Sequence, residues 1–196
     1  MTLIHATTIA RVKTLAGITN ADKDTELTAI LASVSQRFEG FMGQRLAQES
    51  RTVEFSVQPR ANAIFLRAFP VQSITSVKND QRWDWASATA IDTDLYHLDG
   101  DSGTLYIDYD LQSGAKALQV VFVAGFGTDT ADLILNYPAI AQAADLQVLD
   151  IYRRRNSPAG SSKSLGGNRT EFEGPIKMLP EVRETLAPFR VISFGL

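Results

Sequence analysis

The segment Gly100-Asp-Ser-Gly103 matches the peptide that surrounds the nucleophile of trypsin-like serine proteases. That mechanism requires a histidine base and a buried aspartate in the same site as the serine. The sequence contains two histidines, His5 close to the N-terminus and His97 five residues before Ser102. A tight hairpin turn explains the same glycines and polar residues, so we predict a turn here and not a catalytic serine.

Six aspartates are concentrated between residues 92 and 110, where they could serve as metal ligands or as paired catalytic carboxylates. The stretch 99–103 resembles the start of a calcium loop, which also requires glycine at its sixth position and glutamate at its twelfth. Thr104 and Asp110 occupy those positions, so the pattern fails at both. Sequence spacing does not define the separation that a glycosidase pair needs. We therefore predict no catalytic residue, no metal site and no cofactor.

The composition favours a structural or binding protein. Of 196 residues, 44% are hydrophobic and 21% are charged, as in a soluble globular protein. The absence of cysteine excludes disulfides, thiolate zinc sites and cysteine nucleophiles. The formal net charge of −3 argues against a protein whose main task is to bind nucleic acid. We find no signal peptide and no apolar stretch of roughly 20 residues, so we expect a protein made in the cytoplasm, without membrane contact.

The first part of the chain is predicted to be a pair of helices. A short helix begins near Ile9 and ends at Gly17. A second helix is predicted over 24–42, because its apolar residues recur with the helical period. That stripe consists of Leu27, Ile30, Leu31, Val34, Phe38 and Phe41.

Residues 50–127 change to a period of two and are predicted to form an inserted antiparallel β module, sandwich-like or barrel-like. Strands are expected at 52–57, 63–67, 74–77, 96–98, 104–107 and 118–123. The helical part would then consist of residues 1–48 together with 130–196. The fold class expected from this order is α+β.

A long helix is predicted over 138–154, with Pro138 in its first turn. Its apolar residues lie on much of the circumference, which indicates neighbours on more than one side and hints at packing between subunits. The residues expected to pack in this way are Ile140, Ala144, Val148, Ile151 and Tyr152. A Gly/Ser-rich loop over 156–175 follows, and then a short helix from Pro180 to Ala187.

Basic residues at the end of the long helix and in the adjoining loop could contact either DNA phosphates or an acidic partner surface. The sequence leaves these two alternatives open. The residues are Arg153, Arg154, Arg155, Lys163 and Arg169.

The order and wording of five segments resemble the head–tail connector proteins of tailed phages, also called adaptor or head-completion proteins. The segments are Phe38–Arg45, Phe69–Val77, Tyr96–Leu105, Val121–Gly127 with the following helix from Pro138 to Arg153, and Leu179–Arg190. The helical part would on this resemblance be the core of a ring, usually of about twelve subunits. The ring would dock beneath the portal protein, join the DNA-filled head to a downstream tail, stopper or tail-terminator protein, and let DNA pass without sequence readout.

The resemblance also implies that the C-terminal segment contacts the portal, which places the protein in the neck of the virion. The residues expected in this assembly contact are Leu179, Pro180, Leu186, Phe189, Arg190, Val191, Ile192 and Phe194. Two alternatives remain at this stage. One is another neck or tail-completion subunit, and the other is a β-sandwich carbohydrate-binding module with an aromatic platform of Trp83, Trp85, Tyr96 and Tyr106.

Overall fold

A computed structural model of the chain describes residues 4–156 and 177–191. The chain divides into two compact units, one drawn from Met1–Met42 and Asp129–Arg190, the other from Gly43–Thr128 and Val191–Leu196. The first is a helical unit, and the second is a β unit. The α+β class predicted from the sequence is confirmed. Within the described residues, no helix is both long enough and apolar enough to cross a membrane.

The helical unit contains five described α-helices. They are α1 (Ile9–Ala16), α2 (Asp24–Met42), α3 (Thr130–Asn136), α4 (Pro138–Asn156) and α5 (Pro180–Leu186), followed by a 3₁₀ turn at Ala187–Phe189. The Thr8 hydroxyl caps α1 by accepting from the Arg11 amide, and Gly17 ends the helix at φ 69°. The predicted bounds of α2 are confirmed. Helix α3 was not predicted, because only Leu133 of its seven residues is buried and no periodic stripe marks it.

Helix α4 lies at the centre of the helical unit and contacts α1, α2, α3 and α5. The stripe predicted for α2 is buried from Leu27 to Phe38, as is Met42, whereas Phe41 is half-buried. Val182 and Leu186 of α5 are fully buried as well. Four neighbours around one helix explain why α4 is apolar on so many sides.

The β unit contains two antiparallel sheets of three strands. The strands are β1 (Glu49–Val57), β2 (Ala63–Phe65), β3 (Val71–Asn79), β4 (Tyr96–Asp99), β5 (Thr104–Ile107) and β6 (Gly114–Ala124), with a 3₁₀ turn at Thr93–Leu95. Their orders are β1-β6-β3 and β2-β5-β4. Each sheet keeps two edge strands, so the barrel-like closure offered as one alternative is wrong, whereas the predicted antiparallel pairing is confirmed.

A single apolar core joins residues of both sheets. Strand β6 pairs with β1 on one side and with β3 on the other, so that Val120 lies opposite both Val53 and Val77. Because side chains alternate along a strand, Leu118, Val120, Phe122 and Ala124 all point into this core. The sheet β2-β5-β4 contributes Ile64, Leu105 and Ile107.

Candidate assembly surfaces

Four of the five α4 residues predicted to pack between subunits lie in the core of the helical unit. Ile140, Ala144 and Val148 are completely buried, and Ile151 is 3% exposed. Their neighbours are the other helices of the same chain, so in this conformation they cannot contact another subunit. Tyr152 is half-buried and keeps part of its surface accessible.

A charged group is also buried in this core. The Asp145 carboxylate on α4 accepts from the Thr7 hydroxyl at 2.6 Å and from the Arg11 guanidinium at 2.8 and 3.2 Å. The Asp145 side chain is 4% exposed, whereas that of Arg11 is 44% exposed. A buried carboxylate is stable only when it is paired and hydrogen-bonded, so this network fixes the chain before α1 onto α4. No local pattern predicts this network, because Asp145 follows Thr7 and Arg11 by more than a hundred residues.

The C-terminal end of α4 carries the predicted basic triplet. Arg154 donates from Nε to Asp150 Oδ1 at 2.9 Å, in an i,i+4 pair on the helix surface. Arg153 and Arg155 are exposed, and the described residues show no ion pair for either. Lys163 and Arg169, predicted to share this contact, lie outside the described residues.

The C-terminal segment is held on the helical unit by polar and aromatic contacts. The Leu179 amide donates to Gln147 Oε1 at 2.9 Å, just before α5 begins. The guanidinium groups of Arg183 and Arg190 lie 5.8 and 4.9 Å from the ring centroid of Phe41. Phe189 meets Tyr137 edge to face at a centroid distance of 6.2 Å. Such contacts each contribute about 0.5–1.5 kcal/mol and together fix where the segment leaves α5.

The residues predicted to contact the portal differ in how exposed they are. Leu186, the last residue of α5, is completely buried and is unavailable to a partner in this conformation. Pro180 and Arg190 are exposed, and Leu179, Phe189 and Val191 are half-buried. Ile192 and Phe194 lie outside the described residues.

Ser102 lies in the predicted hairpin turn, which joins β4 to β5. Its hydroxyl donates to Asp99 Oδ2 at 2.7 Å and lies 2.9 Å from Thr104 Oγ1. Gly103 has φ 67°, and a Cβ there would overlap the carbonyl oxygen of Ala68. The glycines and polar residues of this motif therefore serve a packed turn, as predicted.

The Ser102 hydroxyl and amide lower the pKa of the exposed Asp99 carboxyl by hydrogen bonding to its charged form. We expect the variant Ser102→Ala to raise the Asp99 pKa toward its ordinary value. An NMR titration of the Asp99 side-chain carbon in the variant and in the wild-type protein measures this shift. An unchanged Asp99 pKa would contradict the hydrogen bond.

The described residues contain no group of three or more His, Cys, Asp or Glu placed to hold a metal ion. Two of the aromatic residues considered as a sugar platform, Tyr96 and Tyr106, do not share a surface. Tyr96 lies opposite Ile107 and is half-buried, whereas Tyr106 lies opposite His97 and is 47% exposed, so the two tyrosines occupy opposite faces of one sheet. Trp85 donates from its indole to Glu54, and Trp83 donates to the Ala115 carbonyl.

The sheet β2-β5-β4 has an exposed outer face. It was not predicted from the sequence that Phe65 and Tyr106 share this surface. Phe65 on β2 is 41% exposed, and Tyr106 on β5 shares its face because the register places Ala63 opposite Tyr106. Large exposed aromatic side chains on a sheet face are typical of interaction surfaces. The alternation of β5, with Leu105 and Ile107 buried on either side of Tyr106, is the signal that could have revealed it.

Comparison with solved structures finds the same fold in components of gene transfer agent (GTA) particles. A chain from the neck of an empty GTA particle, computed with C6 symmetry, matches with a TM-score of 0.61 and 16% identity over 100% of this chain and 95% of that one. A chain from the virion of a native GTA particle matches at 0.59 and 18%, with the same coverage. A chain from the neck of a native particle, computed with C12 symmetry, matches at 0.56 and 16% over 100% and 98%.

No curated protein matches the sequence. The family model of the head completion proteins, in contrast, matches residues 5–192, which include both the helical and the β unit. This match agrees with the resemblance seen in the five segments of the sequence, and it covers nearly the whole chain. The chain therefore belongs to the head completion protein family.

Proposed function

We propose that this protein is a non-enzymatic adaptor that forms a ring in the neck of a phage or phage-like particle. The ring would dock beneath the portal, continue the DNA channel and present a surface to the tail. The observation that carries the proposal is the family match over residues 5–192. The fold shared with chains from GTA necks, one of them computed with C12 symmetry, supports a ring of twelve subunits.

The portal contact is proposed for the C-terminal end. The contacts of Arg183 and Arg190 with Phe41, and of Phe189 with Tyr137, hold the segment on the helical unit up to residue 190. Residues beyond this anchor would start from a fixed point and add apolar side chains, Ile192 and Phe194 among them. Leu179, Pro180, Phe189, Arg190 and Val191 would border the contact, whereas the buried Leu186 would support it from within.

A structural role also fits the chemistry of the one motif that suggested an enzyme. The Ser102 hydroxyl donates to an exposed carboxylate in a turn, whereas a nucleophile would donate to a histidine base. DNA is proposed to pass the ring without sequence readout, since phosphate contacts alone carry no sequence information.

The proposal is tested with DNA-filled heads produced without this protein. Purified full-length chain should bind to one vertex of these heads, and electron microscopy should show a ring below the portal. The heads should then retain their DNA and accept tails. Replacing residues 192–196 by a Gly/Ser segment of equal length should abolish head binding while leaving the free energy of unfolding unchanged.

Two outcomes would count against the proposal. If the full-length chain does not bind to heads, or binds isolated tails instead, the adaptor role is wrong. If the Gly/Ser replacement binds heads as well as the natural sequence, the portal contact lies elsewhere in the chain. A Leu135→Ser variant, which removes an apolar side chain at an exposed position of α3, serves as the control for a nonspecific effect of lost apolar surface.

A further inference from the structure

We propose that the outer face of the sheet β2-β5-β4 binds the Arg153–Arg155 end of α4 from a neighbouring copy of this chain. This inference rests on the proposed ring and names the contact between its subunits. The register of the sheet places Ala63, Tyr106 and His97 in one row across the strands. Phe65, Thr104 and Asp99 form the next row on the same face. The inward-facing residues of the same strands, in contrast, belong to the core of the β unit.

The outer face combines aromatic rings with carboxylates. Phe65 and Tyr106 are 41% and 47% exposed. Asp108 follows Tyr106 by two residues, so it continues the same face at the end of β5. No lysine or arginine occurs from residue 83 to residue 115, so β4, β5 and the segments beside them carry only acidic charges, whereas β2 is flanked by Arg60 and Arg67.

A cleft of about 240 Å³ lies beside the end of β5 and extends this surface. Its lining includes Asp108, Tyr109, Asp110 and Arg60. Two carboxylates and one guanidinium in the lining give the cleft a net negative formal charge. Tyr109 is 50% exposed and adds a third accessible ring.

Arginine is the side chain that this combination fits best. Its guanidinium stacks on aromatic faces and pairs with carboxylates through a planar set of donors. A phosphate backbone would be repelled by the same aspartates, which argues against nucleic acid as the occupant. The partner that complements this surface is therefore a protein with a compact group of arginines.

The chain itself carries such a group at the end of α4. Arg153 and Arg155 are exposed, and the described residues show no ion pair for either. The aromatic-acidic face and the arginines belong to different units of one chain, so pairing them between copies gives a head-to-tail contact. Repetition of such a contact forms a ring when the rotation from one copy to the next closes on itself. Less than half of the about 150–250 Å² that a whole aromatic side chain can bury is still exposed on Phe65 and on Tyr106, so this contact would form the centre of the interface and not its full area.

The test uses two charge-reversed forms of the full-length chain. Variant A carries Arg153→Glu and Arg155→Glu, and variant B carries Asp108→Lys and Asp110→Lys. In A both surfaces are acidic, and in B both are basic, so each variant alone should associate at least about tenfold more weakly than wild type, about 1.4 kcal/mol. In an equimolar mixture every A–B contact again joins opposite charges, so association should be restored. Sedimentation velocity over a concentration series measures all three.

The control is Glu181→Lys with Glu184→Lys, which makes the same change of charge as variant B at exposed positions of α5 and should leave association unchanged. The inference is overturned if A and B associate like wild type, or if their mixture shows no recovery. It is equally overturned if wild type stays monomeric throughout the concentration series. None of these results bears on the binding of wild type to heads, which tests the adaptor role separately.

Discussion

Replacing Arg11 by methionine should lower the free energy of unfolding of the helical unit by about 3 kcal/mol. The change removes two of the three hydrogen bonds to Asp145 and leaves a carboxylate that is only 4% exposed with Thr7 as its partner. The expected loss is at the low end for a broken buried pair, because Arg11 itself is partly exposed. Urea unfolding followed by far-UV circular dichroism measures it. Tryptophan fluorescence would not report unfolding of the helical unit, since Trp83 and Trp85 both lie in the β unit.

Two further variants distinguish the two contributions to this loss of stability, the unpaired Asp145 carboxylate and the lost packing of the Arg11 side chain. Arg11→Met combined with Asp145→Asn should recover part of the stability, because the neutral amide keeps an acceptor for Thr7 and no longer needs a cation. Arg154→Met breaks the exposed pair with Asp150 and should cost about 0.5 kcal/mol or less. A double variant no more stable than Arg11→Met would show that packing, and not charge, governs the loss.

Truncating Phe122 to alanine should destabilise the β unit by about 3–5 kcal/mol. Phe122 is completely buried on the central strand β6, where it lies opposite Arg51 of β1 and Ile74 of β3. The shortened side chain would leave a cavity at the point where both sheets meet the core. Fluorescence-detected urea unfolding measures the loss, because both tryptophans belong to this unit.

The neighbouring position provides the matched control. Val121 points to the opposite face of β6 and is half-buried, so Val121→Ala should cost roughly 1 kcal/mol. Both changes shorten a side chain on the same strand and differ mainly in the volume removed from the core. Equal losses from the two variants would contradict the assignment of Phe122 to the interior.

The sequence was most informative where a periodic pattern coincided with burial on one face. The α2 stripe and the end of α1 at Gly17 could be predicted because local spacing and glycine chemistry specify them. The short helix α3 could not, because it buries one residue and leaves Leu135 79% exposed. Its one local signal is Asp129, whose carboxylate caps the amides of Ala131 and Asp132.

The composition of α4 could not show whether its apolar sides pack against the same chain or against another subunit. The residues of α4 pointed to several neighbours, but nothing local distinguishes helices of the same chain from those of another subunit. The helices that contact α4 include α1, which lies more than a hundred residues before it in the sequence. The Asp145 network escaped prediction for the same reason, since Thr7 and Arg11 precede it by more than a hundred residues.

The arrangement of the two units along the chain has a consequence for folding during synthesis. All six strands lie in one continuous stretch, so the β unit can complete its core soon after residue 128 has left the ribosome. Helices α1 and α2 are made first but must wait for α4 and α5 to cover their apolar sides. A nascent chain would therefore carry an exposed helical stripe while a finished β unit follows it. Chaperones would be needed most after the β unit has folded and before α5 is synthesised, when Val182 and Leu186 are not yet present to complete the helical core.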